Sequence, residues 1–206
     1  DPSEFGLYVY DFEKQKEEEI ILEGETMLGL EVSDVSRDGK KILCHGQKNG
    51  VGTDELYYVD ISERKNYQLT KNRLQEWGGV FSLDQKWLAY TSEKDMEGSF
   101  AIYLNRFPEM NDEIRISVGG GEEPKWLPDG SGVYYRNGSK WMKVILKLDN
   151  EPEIGEPELF FEGPYVNVPG PSHDIFPDGR ILLLKGEEWM PPTEIDVIIN
   201  ALDLAP

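Results

Sequence analysis

The sequence predicts an all-β chain of repeated four-stranded antiparallel units, and three observations predict it. A hairpin signature of apolar run, Asp-Gly turn and second apolar run occurs four times, in residues 35–42, 81–88, 126–133 and 175–181. Its acid falls at Asp38, Asp84, Asp129 and Asp178, at spacings of 46, 45 and 49 residues. A second strand-like element recurs between the hairpins, and no stretch carries a sustained helical period. Four short strands per repeat of about 45 residues is the pattern of a β-propeller blade.

The elements follow in order. A strand at residues 7–11 (Leu7, Tyr8, Val9, Tyr10, Asp11) opens the chain and a second is expected at 20–22, with the run Glu17, Glu18, Glu19 between them read as solvated charge. The first hairpin has Val35 before its turn and an apolar stretch at 42–44 after it, Gly39 supplying the positive φ of a tight turn. Strands at 56–60 and 67–70 complete that repeat. The second runs from Phe81 through 88–90, 102–106 and 113–117, and alone replaces the turn glycine, by Gln85. The third runs from Trp126 through 133–135, 142–146 and 158–161, and the fourth from Ile175 through 181–184 to 195–199.

With strands lettered a to d from the axis outward, residues 1–24 supply c and d. Residues 25–71, 72–118 and 119–162 form whole blades, and 163–206 supply a, b and c. The expectation is a single array over 1–206 of four to five blades, forming part of a six-bladed ring, with a small closed ring as the alternative. An open arc would leave strand edges exposed and invite self-association.

Composition narrows the function classes. Forty acidic against 21 basic residues give a net charge of −19, which argues against nucleic acid and anionic membranes as partners. Membrane insertion is not expected, because the apolar runs are far shorter than a span and no charged-then-apolar signal segment opens the chain. The one cysteine, Cys44, cannot form an internal disulfide or a cysteine-rich metal site. His45 and His173 are the only histidines, too few for a histidine-rich metal centre, so neither metal nor cofactor is expected.

The hairpins resemble the WD40-like (PD40) propeller repeat typified by TolB, an aromatic-Ser-Pro-Asp-Gly-Lys turn followed by an Ile-Tyr strand. Residues 126–130 (Trp-Leu-Pro-Asp-Gly) are the nearest match, and residues 92–103 are similar to the family's b–c connection. The tail from His173 to Asn200 resembles the last blade of bacterial TolB-like proteins and reads as a natural chain end. Arg37 and Leu83 replace the family's proline, and Gln85 its glycine. The resemblance implies a non-catalytic protein- or peptide-binding module, periplasmic or extracellular, with a cytoplasmic location left open. The same repeat also forms the substrate-filter propeller of prolyl-oligopeptidase-like hydrolases, which is the alternative for a longer parent protein.

Within this frame Asp38, Asp84, Asp129 and Asp178 read as structural turn acids bonded to nearby backbone N–H groups. Function is expected at the opposite end of the strands, in the d–a loops (24–33, 72–79, 119–124, 163–173) and the b–c loops (46–54, 92–99, 137–140, 186–192). Glu31, Trp77, Glu122, Glu123, His173, Asp174 and Trp189 are the candidate ligand- or partner-binding residues. Converging carboxylates there suit a basic peptide, or a Ca-type cation in the axial opening that nothing else in the sequence supports. The bland reading of these acids is solvated surface charge. His173 and Asp174 are adjacent, and neighbours on a strand point to opposite faces, so a catalytic His–Asp contact between them is not expected. No catalytic residue is assigned, and no Gly-x-Ser-x-Gly elbow occurs. Trp87 and Trp126 read as packing residues, and Trp77 and Trp189 as loop residues available to a partner. The expected function is a non-catalytic scaffold presenting an acidic loop face to a basic protein or peptide.

Overall fold

The computed structural model of the chain describes residues 7–20, 27–48, 52–96, 99–149, 151–167, 172–185 and 194–198. Among them all regular structure is β-strand, and every described strand pairing is antiparallel. The chain divides into two compact units, Asp1–Trp77 and Gly78–Pro206.

In the first unit β1 (Leu7–Asp11) pairs with β2 (Lys16–Ile20) as a two-stranded sheet. A four-stranded sheet follows in chain order: β3 (Met27–Val35), β4 (Lys41–Lys48), β5 (Glu55–Asp60) and β6 (Lys65–Gln68). Next in sequence, β7 (Glu76–Phe81) starts at the junction of the units, and its sheet continues through β8 (Trp87–Met96), β9 (Ser99–Arg106) and β10 (Ile114–Arg115). The fourth sheet holds β11 (Glu122–Trp126), β12 (Gly132–Asn137), β13 (Lys140–Lys147) and β15 (Glu158–Glu162). A two-residue strand, β14 (Glu153–Ile154), pairs with the far end of β13. The last sheet has three strands, β16 (His173–Ile175), β17 (Ile181–Lys185) and β18 (Glu194–Ile198).

The fold class is the predicted one, with local differences. β2 begins earlier than the strand expected at 20–22, of which residues 21 and 22 lie outside the described residues, and it contains the acidic run: Glu17, Glu18 and Glu19 pair with Tyr10, Val9 and Tyr8 while their side chains stay exposed. β14 is an addition that two residues of undistinguished sequence could not announce.

Apolar residues at alternate strand positions build the cores between sheets. In the first unit Ile20 of β2 packs with Ile42, Cys44, Tyr57 and Val59 of the next sheet, and Leu7 joins them. Burial there pushes the Cys44 thiol up to about 12, which removes it from thiolate chemistry at neutral pH. In the second unit Trp87, Ala89, Ile102 and Leu104 pack against Trp126, Val133, Tyr135, Val144 and Leu146. Leu127, Tyr134, Trp141, Phe160 and Phe161 pack against Ile181 and Leu183 of the last sheet. Both Trp87 and Trp126 are thus interior, and the Trp126 indole N–H donates to the Val80 carbonyl at 3.2 Å. Backbone approach at β12–β13 requires glycine at position 132, where a Cβ would meet the Val144 carbonyl oxygen.

The four hairpin turns share one hydrogen-bond frame. Ser36, Ser82, Leu127 and Phe176 each donate their N–H across the turn, to the carbonyls of Lys41, Trp87, Gly132 and Arg180, and each accepts from the residue three on. That residue is Gly39, Gln85, Gly130 or Gly179, all at positive φ. Gln85 therefore adopts the glycine conformation, φ 59°, rather than altering the turn. Asp38 and Asp84 accept from the hydroxyls of Ser36 and Ser82 and from the N–H groups of Lys40 and Lys86. Asp129, which follows Pro128, bonds forward to both the N–H and hydroxyl of Ser131, and Asp178 bonds to the N–H and guanidinium of Arg180. The Ser36 hydroxyl, the Ser131 hydroxyl and the Arg180 N–H hold the carboxyls of Asp38, Asp129 and Asp178, respectively, below the usual range.

Candidate functional site

The strand ends opposite these turns carry two groups of candidate residues, one in each unit. In the second unit a bulge in β11 sets the geometry. Glu122 pairs with Arg136 and Lys125 with Tyr134, so Glu123 and Pro124 together oppose the single residue Tyr135. Proline has no N–H to lose from the ladder, and a bulge re-aims the side chain beside it. Glu123 takes a positive φ of 55°, its N–H donates to Thr91 Oγ1 at 3.2 Å, and its carboxylate is buried.

That carboxylate meets the last sheet. Ser172 Oγ donates to Glu123 Oε2, and His173 Nδ1 lies 2.9 Å from the same oxygen. An acceptor carboxylate requires the proton on Nδ1, which leaves Nε2 as a lone pair. The imidazole is fully buried between two rings, with centroid distances of 4.4 Å to Trp141 and 5.2 Å to Tyr134. Burial pushes the imidazole below its ordinary value of 6.5, and the adjoining Glu123 opposes the shift without reversing it. Burial also raises the Tyr134 phenol well above its usual value. His173 Nε2, Glu123 Oε1 and Tyr134 Oη have no hydrogen-bond partner among the described residues.

Around this buried link the polar groups are more open. Asp174, next to His173, points the other way and is exposed, its carboxylate 3.7 Å from Lys125. Glu122 is half-buried, and burial followed by the neighbouring Glu123 raises its carboxyl while Arg136 pulls it down. The Arg136 guanidinium donates to three carbonyls, those of Gly138 (2.8 Å), Val166 (3.0 Å) and Tyr165 (3.3 Å), and so ties down the segment leading to the last sheet.

In the first unit Glu31 lies within β3, not in the loop expected over 24–33, and is exposed. It faces His45 across the β3–β4 pairing, 3.6 Å from Nε2, while Ser33 Oγ lies 2.9 Å from Nδ1. Burial lowers the His45 imidazole, against the pull of Glu31 and Asp54. Trp77, also expected in a loop, is a half-buried residue of β7. Trp189 lies outside the described residues.

The sequence candidates thus separate. Glu122, Glu123, His173 and Asp174 come together at the starts of β11 and β16. Glu123 and His173 form a buried link instead of the solvated acid and loop imidazole that the bland reading expected, because the bulge turns Glu123 inward. Ser172, Tyr134, Trp141 and Arg136 complete the cluster without having been singled out. Glu123-Pro124 was the available signal for the bulge; nothing in the sequence pairs residues fifty apart. Among the described residues no group of three His, Cys, Asp or Glu side chains is placed to hold a metal ion, and no helix is long and apolar enough to cross a membrane.

The arrangement of successive four-stranded antiparallel sheets defines the class, a β-propeller fold. Solved structures share this fold. TolB from Acinetobacter baumannii matches with a TM-score of 0.65 at 20% identity, over 89% of this chain and 43% of its own. An oligogalacturonate lyase from Vibrio parahaemolyticus matches with a TM-score of 0.64 at 13% identity, over 94% and 57%. A prolyl endopeptidase matches with a TM-score of 0.55 at 17% identity, over 87% and 28%. The chain therefore spans less than two thirds of each, and at these identities the likeness shows the fold alone. No family model matches the chain, and no curated protein sequence matches it.

Proposed function

We propose that the chain is a non-catalytic binding scaffold of the TolB type, whose loop face at the starts of β11 and β16 presents carboxylates to a basic protein or peptide. The observation that carries this reading is the buried Glu123–Ser172–His173 link. It occupies the one imidazole of this face in a structural contact and fixes the neighbouring strand starts, so Asp174 and Glu122 are offered from a rigid support. Loops held on rigid elements suit recognition, and a net charge of −19 steers a cationic partner toward such a face. TolB-like resemblance suggests a periplasmic or extracellular setting.

Binding of arrayed Lys/Arg-rich and Asp/Glu-rich peptides to the chain, with and without Asp174→Asn and Glu122→Gln together, tests the proposal. Preference for basic peptides, falling about fivefold in the double variant and weakening with salt, is expected; equal binding by both proteins rejects this face.

A second reading, the substrate-filter propeller of a larger prolyl-oligopeptidase-like hydrolase, is supported by the likeness to a prolyl endopeptidase of which this chain covers 28%. A Gly-x-Ser-x-Gly domain encoded in the same reading frame would favour it over the scaffold reading.

A further inference from the structure

The hydroxyls of Ser36, Ser62, Ser82 and Ser131 each donate to an aspartate two residues away. A carboxylate, with an ordinary value of about 4, is too weak a base at neutral pH to draw the proton off a hydroxyl. Ser33 differs, because its Oγ lies 2.9 Å from Nδ1 of the His45 imidazole, a stronger base. The register of β3 and β4 sets this contact. Glu31 stands directly opposite His45, and Ser33 follows as the extra residue of a bulge, since Val32 pairs with Cys44 and Asp34 with Leu43. A bulge re-aims a side chain, and here the ring has Ser33 at one nitrogen and Glu31 at the other.

These neighbours fix the protons. A carboxylate beside Nε2 favours the proton on that nitrogen, which leaves Nδ1 as the lone pair that accepts the Ser33 O–H. At 3.6 Å the Glu31 contact is electrostatic, longer than a hydrogen bond, and it strengthens when the ring gains a charge. The His45 side chain is 12% exposed. Its burial lowers the imidazole against the pull of the charged groups that act on it, Glu31 on β3 and Asp54 just before β5, so the ring is a neutral base at pH 7. Ser33 is half-buried and Glu31 is exposed, so solvent reaches the group.

We infer that Ser33 is a nucleophile activated by His45 and Glu31, and a covalent modification site for neutral activated acyl esters. In the step, Ser33 Oγ attacks the acyl carbon and the bond to the leaving alcohol or phenol breaks. His45 Nδ1 takes the hydroxyl proton and passes it to the leaving oxygen, and Glu31 stabilises the imidazolium that forms in between. The products are an O-acyl serine and a free alcohol or phenol. A net charge of −19, with Glu31 and Asp54 acting on the ring, disfavours anionic donors such as acyl phosphates. The site lies in the first unit and shares no residue with the loop face at β11 and β16. It asks for no turnover, so it is independent of the binding role proposed for that face.

The test treats the whole chain with p-nitrophenyl acetate, and in parallel with a neutral fluorophosphonate, and maps the adduct by peptide mass spectrometry. Ser33 is expected to label at least about tenfold faster than the exposed Ser62 and Ser139, and more slowly as acid protonates the imidazole. The rate should fall at least about tenfold in His45→Gln and about threefold in Glu31→Gln. Acetyl phosphate should react more slowly than the neutral ester. Asp174→Asn/Glu122→Gln should label as the parent does, which separates this site from the loop face. Urea unfolding of His45→Gln shows whether loss of the ring disturbs the fold, and Glu31→Gln, at an exposed position, tests the same activation without that disturbance. Labelling no faster at Ser33 than at Ser62 or Ser139, or a rate unchanged in either His45→Gln or Glu31→Gln, overturns the inference.

Discussion

The two ends of the strands are held by different kinds of interaction. At one end the hairpin acids bond to groups two residues away, as Asp84 does with Ser82 and Lys86. At the other end, in the second unit, Glu123 bonds to Ser172 and His173, 49 and 50 residues away. The turn end repeats, keeps its acids exposed, and holds Gln85 in the conformation of its glycine. The other end is held by contacts between sheets that do not repeat, the buried Glu123 link and the Arg136 bonds to the segment before the last sheet.

The largest test of that contrast is Glu123→Ala, which strands a buried imidazole and hydroxyl and should cost about 3 kcal/mol in urea unfolding. Asp174→Ala, removing a mostly exposed pair with Lys125, should cost no more than about 0.5 kcal/mol. Similar losses in the two variants would erase the distinction.

Acid should act on the buried end next. Because burial holds the folded His173 imidazole below 6.5, the unfolded chain takes up a proton that the folded chain refuses as pH falls below 6.5. This contribution is complete above pH 6.5 and is lost between 6.5 and the lower folded value, with a slope approaching about 1.4 kcal/mol per pH unit. Urea titrations at pH 7 and 5.5 should show a smaller acid loss in His173→Gln than in the parent. His45, lowered in the same direction, accounts for a share that this variant leaves in place.

The turn end should lose less than Glu123→Ala does. Ser82 is buried, donates to Asp84 and accepts the Trp87 N–H at 3.0 Å, so Ser82→Ala should cost about 1 kcal/mol. A loss as large as that of Glu123→Ala would mean that the turns are more than local devices.

The same contrast explains what could be read in the sequence. Asp38, Asp84, Asp129 and Asp178 announce their turns because the partners lie within a few residues, and the alternation around Trp87 and Trp126 announces strands and core together. Glu31 and Trp77 were expected in loops because strand starts at this end lack a turn signature, and β3 and β7 begin earlier than their apolar stretches. The acidic run of β2 read as solvent-exposed loop, and only its pairing with the alternating strand Leu7–Asp11 makes it a strand. His173 and Asp174 were correctly set on opposite faces by strand alternation. The partner of His173 could not be read, since the contact arises from the stacking of two sheets and from a bulge that reverses one side chain.

The most direct test of the central claim, that His173 is a buried structural link and not an available acid–base group, is the titration of its imidazole nitrogens in ¹⁵N-histidine-labelled protein. A proton on Nδ1, a bare Nε2 and a midpoint below 6.5 that moves in Glu123→Gln are expected. A proton on Nε2, or a midpoint at or above 6.5 indifferent to Glu123, would contradict the claim.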